Sequence, residues 1–245
     1  MILKSILPVY PGEINFLIAL ATPDLPCFLR RLTVRILRDD EIEEDIESLT
    51  GLMEAFIVPL TSNIKINEDV FLIIQETNLV CNAFRYFMYI DCDNDFQWSA
   101  SRFFEICTSH DFLHKEALYS VTDCDFTDIV DTSHNREFEQ QIHFIVIISN
   151  LIQQLGYNAA ELAIEYDILT LISSFIPDHI QYALNALDVL IEKYVEKDHG
   201  KTICDLIGET SIMQDLKDVT EVNDNDDEFD MIINFVNHFN NLANN

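Results

Sequence analysis

The sequence is poor in the residues that make turns, because its 245 residues include only 5 glycines and 6 prolines. All-β folds need both residue types at their many turns, so this scarcity favours a mostly helical chain. Basic side chains are scarce too, at 14 against 43 acidic ones, which gives a formal net charge of −29. Since that charge repels phosphate groups, we expect no direct binding to nucleic acid and instead a basic protein or peptide as partner.

Long apolar runs and paired cysteines are also missing. No run approaches the roughly 20 residues that span a bilayer, and the N-terminus lacks the continuous apolar stretch of a signal peptide. The six cysteines are scattered without a C-x-x-C pair, which suits a reduced compartment. We therefore expect a cytoplasmic and/or nuclear protein that does not enter a membrane.

The sequence does have a large apolar content, 49%, and an internal repeat. In a seven-residue pattern, an Asp, Asn or Ser stands directly before two mostly apolar residues. These side chains accept hydrogen bonds from the free N–H groups at a helix start, so each copy predicts a tight corner between two helices. The copies begin at Leu20, Ile74, Cys107, Ala163 and Ile207.

Long amphipathic helices are predicted after four of the five corners, over Glu41–Pro59, Glu137–Gln154, His179–Glu196 and Asp227–Leu242. After the corner at Ile74 the pattern is missing, and the next corner comes only 33 residues later, so that repeat is predicted to lack its third helix. The longer spacing after Cys107 is attributed to an acidic loop over 122–131.

A single helical hairpin cannot bury such apolar faces, whereas stacked neighbours bury them in one continuous core. We therefore predict an all-α fold, an α-solenoid of about five repeats within a single domain spanning 1–245. The repeats are placed roughly at 10–62, 63–92, 93–156, 157–200 and 201–245.

The order of a break before two apolar residues, a two-turn helix and a long helix resembles the armadillo repeat. Leu25–Leu29 is close to the apolar-Pro-x-x-Leu step of that family. Three segments, Ile180–Leu190, Ile203–Glu209 and Phe229–Phe239, are similar to the last two repeats of importin-α proteins. The resemblance implies a right-handed superhelix that presents a concave groove to an extended peptide, with a role in nuclear transport.

In importin-α, a Trp and an Asn four residues later line that groove on each long helix, where the Trp faces hold lysine stems. Transferred residue by residue, these pairs become Thr50/Glu54, Val146/Asn150, Leu184/Asp188 and Ile233/Asn237, and the Trp is lost from all four. Trp98, the only tryptophan, falls in a predicted first helix. The residues that we expect to bind a partner carrying Lys or Arg are Glu54, Val146, Asn150, Leu184, Asp188, Ile233 and Asn237.

No catalytic or metal site stands out in the sequence. The five glycines form neither G-x-G nor G-x-x-x-x-G, which argues against Gly-rich phosphate and dinucleotide loops. His110 and His114 have the spacing of zinc ligands, but Asp111 replaces the glutamate of the metalloprotease pattern. Asp91–Asp95 imitates the start of a calcium loop without its Gly and terminal Glu. We therefore expect no enzyme activity, no cofactor and no metal.

Two functions remain open. The first is a non-enzymatic, importin-α-like adaptor or scaffold that binds a basic or extended segment. The alternative is a structural subunit of an obligate complex or homodimer without peptide-receptor activity. The missing third helix motivates this alternative, since it would leave Phe84, Tyr86, Phe87 and Tyr89 uncovered.

Overall fold

A computed structural model of the chain describes residues 46–61, 68–76, 78–89, 94–110, 113–122, 126–222 and 226–244. Within these ranges all regular secondary structure is α-helical, which confirms the predicted all-α class. The helices form two compact units, divided between Cys124 and Asp125. None of the described helices combines the length and the apolar content that crossing a lipid bilayer demands.

The first unit is built around one central helix. Its helices are α1 (Ile46–Thr61), α2 (Glu68–Glu76), α3 (Leu79–Tyr89), α4 (Asn94–Ser109) and α5 (His114–Thr122). Helix α4 packs against α1, α3 and α5, and α3 also contacts α2 and α5. Two phenylalanine pairs fix these contacts: Phe56 meets Phe103 edge-on at 6.4 Å, and Phe84 lies 5.1 Å from Phe104.

Helix α4 corrects the prediction that the repeat after Ile74 lacks a long helix. A 16-residue helix does follow α3, and it packs against α1, the previous long helix. Trp98 therefore lies in a long helix rather than a first helix, half-buried, with the Arg102 guanidinium 5.0 Å from its ring centre. Phe84 is fully buried, so it is not an uncovered apolar residue. The side chains of Tyr86, Phe87 and Tyr89 lie outside the described part of the chain.

The second unit contains the other three long helices. Its helices are α6 (Phe126–His134), α7 (Phe138–Leu155), α8 (Tyr157–Glu165), α9 (Ile168–Phe175), α10 (Ile180–Val195), α11 (Gly200–Gly208), α12 (Ile212–Val222) and α13 (Asp226–Ala243). The long helix α10 packs against α7 on one side and α13 on the other, and α9 packs against α12. Equivalent helices of successive predicted repeats are thus neighbours within this unit.

Helix α6 corrects the predicted acidic loop over 122–131. Residues 126–134 form a helix whose inner face is buried, and Asp128 and Asp131 lie on its exposed face. The buried residues of this helix are Phe126, Thr127, Ile129, Val130 and Ser133. Asp128 and Asp131 therefore mark the solvent side of a packed helix.

Four of the five predicted corners are confirmed, and the one at Leu20 lies outside the described residues. Helices end at Glu76, Ser109, Glu165 and Gly208, and the next ones begin at Leu79, His114, Ile168 and Ile212. At two corners the chain turns through a residue in the left-handed region, Asn78 with φ 50° and Asp167 with φ 65°. The predicted capping role is wrong at Asp167, whose side chain makes no cap hydrogen bond to the following helix. Asn and Asp instead suit these two corners because they tolerate the left-handed conformation better than other side chains.

Helix α10 shows how the predicted amphipathic pattern builds the core. Gln181, Asp188 and Glu192 are exposed as predicted. Burying each large aliphatic side chain contributes about 1.5–3 kcal/mol, so the inner face of α10 is a main source of stability. Every residue predicted for this inner face is at most 4% exposed: Ile180, Ala183, Leu184, Leu187, Leu190, Ile191 and Tyr194.

Candidate functional site

The long helices α7, α10 and α13 lie side by side and carry most of the predicted partner-binding residues. We use the name long-helix face for eight exposed or half-buried residues of these three helices. It consists of Val146, Asn150, Gln153, Asp188, Glu192, Ile233, Asn237 and His238. The side-chain amides of α7 and α13 lie on either side of the two carboxylates of α10, Asp188 and Glu192.

A side-chain hydrogen bond joins the first two helices of this face. The Gln153 amide donates to Glu192 Oε2 across 3.3 Å, linking α7 to α10. Residues three or four positions apart lie on the same side of a helix, so Asn150 and Asp188 each lie one turn before this contact. The carboxylate row of α10 therefore faces the amide row of α7.

An electrostatic contact joins α10 to α13. Burial raises the pKa of the Asp188 carboxyl, and the charge of His238 partly offsets this by lowering the pKa. His238 follows Asn237 directly in α13, so this contact brings Asp188 near the last predicted Asn. The middle of the face thus holds a carboxylate, an imidazole and an amide.

The predicted residues differ in how accessible they are. Leu184 is 2% exposed and lies in the core, so it is not available to a partner. Val146 and Asn150 are half-buried, Asp188 and Asn237 are exposed, and Ile233 is 41% exposed. Glu54 belongs to the first unit, where its Oε1 accepts a hydrogen bond from the Ser99 hydroxyl at 3.4 Å.

Three residues of the face were absent from the sequence prediction: Gln153, Glu192 and His238. Glu192 lies one turn after Asp188, and its carboxylate also lies 3.6 Å from the Lys193 ammonium. The spacing of four from Asp188 was a usable signal for Glu192. Nothing in the sequence pairs His238 with Asp188, since 50 residues separate them and only the packing of α13 on α10 brings them together.

The charge of the second unit is strongly one-sided. Residues 125–245 include 23 acidic and 5 basic side chains. One of the five basic residues, Lys193, is buried and forms an ion pair, with its Nζ 2.8 Å from Glu196 Oε1. The surface of this unit therefore attracts cations, and the attraction falls as salt rises.

A separate pocket of about 400 Å³ lies in the first unit, between α3 and α5. The Gln75 amide donates to Glu116 Oε1, while Glu116 Oε2 is buried and accepts no hydrogen bond among the described residues. Burial, and secondarily the charge of Glu116, raise the pKa of the Cys107 thiol well above its usual value. The pocket is lined by Ile74, Gln75, Asn78, Val80, Cys81, Asn82, Arg85, Glu116, Tyr119 and Ser120.

The described residues contain no group of three or more His, Cys, Asp or Glu side chains with the placement of a metal site. The Nδ1 atom of His114 lies 3.3 Å from the carbonyl oxygen of His110, the other residue of the zinc-like pair. Cys81, Cys107 and Cys204 are free thiols. Part of the calcium-like segment, 91–93, lies outside the described residues.

Comparison with known proteins gives a fold likeness only. No family model matches the chain, and no curated protein matches it. Two engineered proteins, both targets of the Northeast Structural Genomics Consortium with crystal structures, are similar in fold. One has a TM-score of 0.60 at 14% identity, covering 98% of this chain and 89% of its own. The other has a TM-score of 0.59 at 11% identity, covering 98% and 87%.

Proposed function

We propose that this chain is a non-enzymatic adaptor whose long-helix face binds a basic, extended protein segment, as the armadillo and importin-α resemblance implies. One observation carries the proposal. Three neighbouring long helices present amides on both sides of an exposed carboxylate row, Asp188 and Glu192. Amide side chains hydrogen-bond a peptide backbone through both donor and acceptor groups, and carboxylates pair with Lys or Arg.

The missing tryptophans change what this face recognises. In their place stand Val146, buried Leu184 and half-exposed Ile233, so the slots that hold lysine stems between indoles are absent. Recognition then rests on charge and backbone hydrogen bonds rather than on cation–π contacts. We therefore propose a basic segment with loose sequence requirements, in a nucleus-linked scaffold or transport role.

Binding of a fluorescent peptide of alternating lysine and serine tests the proposal, measured by anisotropy at low and high salt. The double variant Asp188→Asn with Glu192→Gln should raise the Kd about five- to thirtyfold, which corresponds to a loss of one to two kcal/mol. The matched control, Asp205→Asn with Glu209→Gln, removes one exposed charge from α11 and one from the residue directly after it, and should leave the Kd within about twofold.

Equal losses in both double variants would show a diffuse acidic surface instead of a binding face. Affinity that does not change with salt would contradict the electrostatic part of the proposal. A version of the peptide with acetylated lysines should not bind, because it keeps the backbone and loses the positive charges.

One observation favours the alternative of a homodimer or obligate complex. Phe229 and Ile233 lie one turn apart on α13 and are 42% and 41% exposed, which leaves an apolar strip on the last helix. Sedimentation of the full chain and of the variant Phe229→Asn with Ile233→Asn separates the two readings. A dimer that the double variant disrupts would support this alternative, and a monomer in both cases would reject a homodimer.

A further inference from the structure

We propose that Lys193 is an internal competitor on the long-helix face, where it neutralises Glu192 and directs the basic side chain of a partner to Asp188. This role of Lys193 rests on the proposed function and deepens it, since the competition matters only where a cationic segment binds. The partner is then defined more narrowly, as an extended segment that carries one isolated Lys or Arg. A second basic residue close to the first adds little.

Both carboxylate oxygens of Glu192 already have partners. Its Oε2 accepts a hydrogen bond from the Gln153 amide at 3.3 Å, and its Oε1 lies 3.6 Å from Lys193 Nζ. At this distance the ammonium cancels most of the field of the carboxylate, because two opposite charges so close together act on a third charge as a dipole. A cation that approaches Glu192 from solvent therefore gains much less than it would from an unpaired carboxylate.

Lys193 is held in place by a second carboxylate and by burial. Its side chain is 8% exposed, whereas the side chains of Glu192 and Glu196 are each 51% exposed. The Lys193 ammonium donates a hydrogen bond to Glu196 Oε1 at 2.8 Å. This hydrogen bond raises the pKa of Lys193 more than burial lowers it, and the charge of Glu192 adds a smaller increase. The ammonium therefore stays charged at neutral pH, and a buried charge is costly to separate from its partners.

Asp188 is the carboxylate of this row that no internal lysine or arginine covers. It is exposed one turn before Glu192, and within the described ranges no Lys or Arg forms an ion pair with it. The imidazole of His238 is the group whose charge acts on Asp188, and histidines are ordinarily neutral at pH 8. At that pH Asp188 offers its full charge to the Lys or Arg of a partner.

The spacing of the two carboxylates explains why one basic residue is enough. Asp188 and Glu192 are four residues apart on α10, which places their side chains about 6 Å from each other. Side chains at alternate positions of an extended segment are about 6.6 Å apart, so two lysines with one residue between them can span both carboxylates. Because Lys193 already neutralises Glu192, the second lysine finds no unpaired counter-charge.

Glu196 acts as a positioning residue, although it lies outside the long-helix face. The Lys193 ammonium lies 2.8 Å from Glu196 but 3.6 Å from Glu192, so Glu196 draws it away from Glu192. Without the charge of Glu196, the pairing of Lys193 with Glu192 should strengthen, since one carboxylate no longer competes with the other. A residue that touches no partner thus adjusts how much charge Glu192 presents.

Two capped, fluorescent heptapeptides test this role by anisotropy with the full chain at pH 8 and low salt: Ser-Gly-Ser-Lys-Ser-Gly-Ser and Ser-Gly-Lys-Ser-Lys-Gly-Ser. On the unaltered chain the second lysine should tighten binding only about twofold, the statistical factor for two equivalent positions. Lys193→Met removes the internal charge and frees Glu192, so the gain should rise to about fivefold. Lys197→Met removes an exposed positive charge one turn later and should leave the gain as it is in the unaltered chain.

A measurement without peptide tests the pairing itself. Urea denaturation of Lys193→Met, Glu192→Gln and the variant with both changes gives the coupling between the two side chains as a double-mutant cycle. The coupling should be favourable, and it should increase when the cycle is repeated with Glu196→Gln. The matched background Asp198→Asn, which removes an exposed charge two residues further along the chain, should leave the coupling unchanged.

An equal gain from the second lysine in the unaltered chain and in Lys193→Met, or a cycle without coupling, would overturn the role of Lys193 while the proposed function stands. Failure of both peptides to bind would instead reject the proposed function, and the role of Lys193 with it. Circular dichroism checks that Lys193→Met is folded. If it is not, the one-lysine peptide decides: Asp188→Asn should raise its Kd about three times as much as Glu192→Gln does, and equal losses would contradict the role of Lys193.

Discussion

Leu184 in α10 is 2% exposed, whereas Ile233 in α13, which takes the same position in the predicted repeat pattern, is 41% exposed. Each is followed four residues later by a polar residue of the long-helix face, Asp188 after Leu184 and Asn237 after Ile233. The difference follows from packing, because α10 has long-helix neighbours on two sides, α7 and α13. Equivalent positions of the predicted repeat pattern therefore take structural or surface roles according to their neighbours.

This contrast predicts opposite outcomes for two similar truncations. Leu184→Ala should lower the free energy of unfolding by about 2–5 kcal/mol, because it leaves a cavity in a packed core. Ile233→Ala should cost under about 1 kcal/mol, since the side chain already contacts solvent. Urea denaturation of the two variants measures both values. A similar loss in both would mean that the packing around α10 differs from the one described.

The phenol of Tyr194 predicts a pH dependence of stability. Its side chain is 3% exposed, and its ring packs edge-on against Tyr157 at 5.0 Å. Burial, with smaller contributions from Tyr157, Glu161 and Glu165, raises its pKa to about 12. The folded state therefore favours the neutral phenol, while the unfolded chain ionises near the ordinary value of about 10.

Because the folded pKa is the higher one, this contribution to stability is complete below about pH 10 and is lost as pH rises toward about 12. Tyr194→Phe should lose less stability over that window, which urea denaturation at a series of pH values would show. Tyr182→Phe, which removes an exposed hydroxyl from the same helix, is the control. It should show the same pH dependence of stability as the unaltered chain. Identical pH curves for all three proteins would exclude a role for the Tyr194 phenol.

The sequence predicts the long helices of the second unit well because their apolar residues recur at helical spacing. It fails at α4, whose buried side includes the polar residues Gln97, Ser99, Ser101 and Thr108. Two of these side chains form hydrogen bonds within the helix itself: the Ser101 hydroxyl donates to the Trp98 carbonyl, and the Thr108 hydroxyl donates to the Glu105 carbonyl. Such side chains enter a core without an apolar pattern, so periodicity alone does not reveal the helix.

The candidate sites depend more on tertiary contacts than the helices do. Asp188 follows from the repeat pattern, but its approach to His238 depends on how α13 packs against α10. Likewise, nothing near Glu116 in the sequence indicates that Gln75, 41 residues earlier, holds one of its oxygens. A single sequence indicates which residues are polar, and the packing determines which polar atoms stay unpaired.

Two glycines of the second unit should respond to alanine in opposite directions. Gly156 joins α7 to α8 with φ 81° and ψ −157°, a conformation essentially restricted to glycine, so Gly156→Ala should destabilise by about 1–3 kcal/mol although nothing lies within 4 Å. Gly208 ends α11 without a positive φ and with open space around it, so Gly208→Ala should stabilise by about 0.5–1 kcal/mol. Thermal and urea unfolding of the pair test this directly. Stabilisation by Gly156→Ala would show that the α7–α8 junction does not need its left-handed backbone.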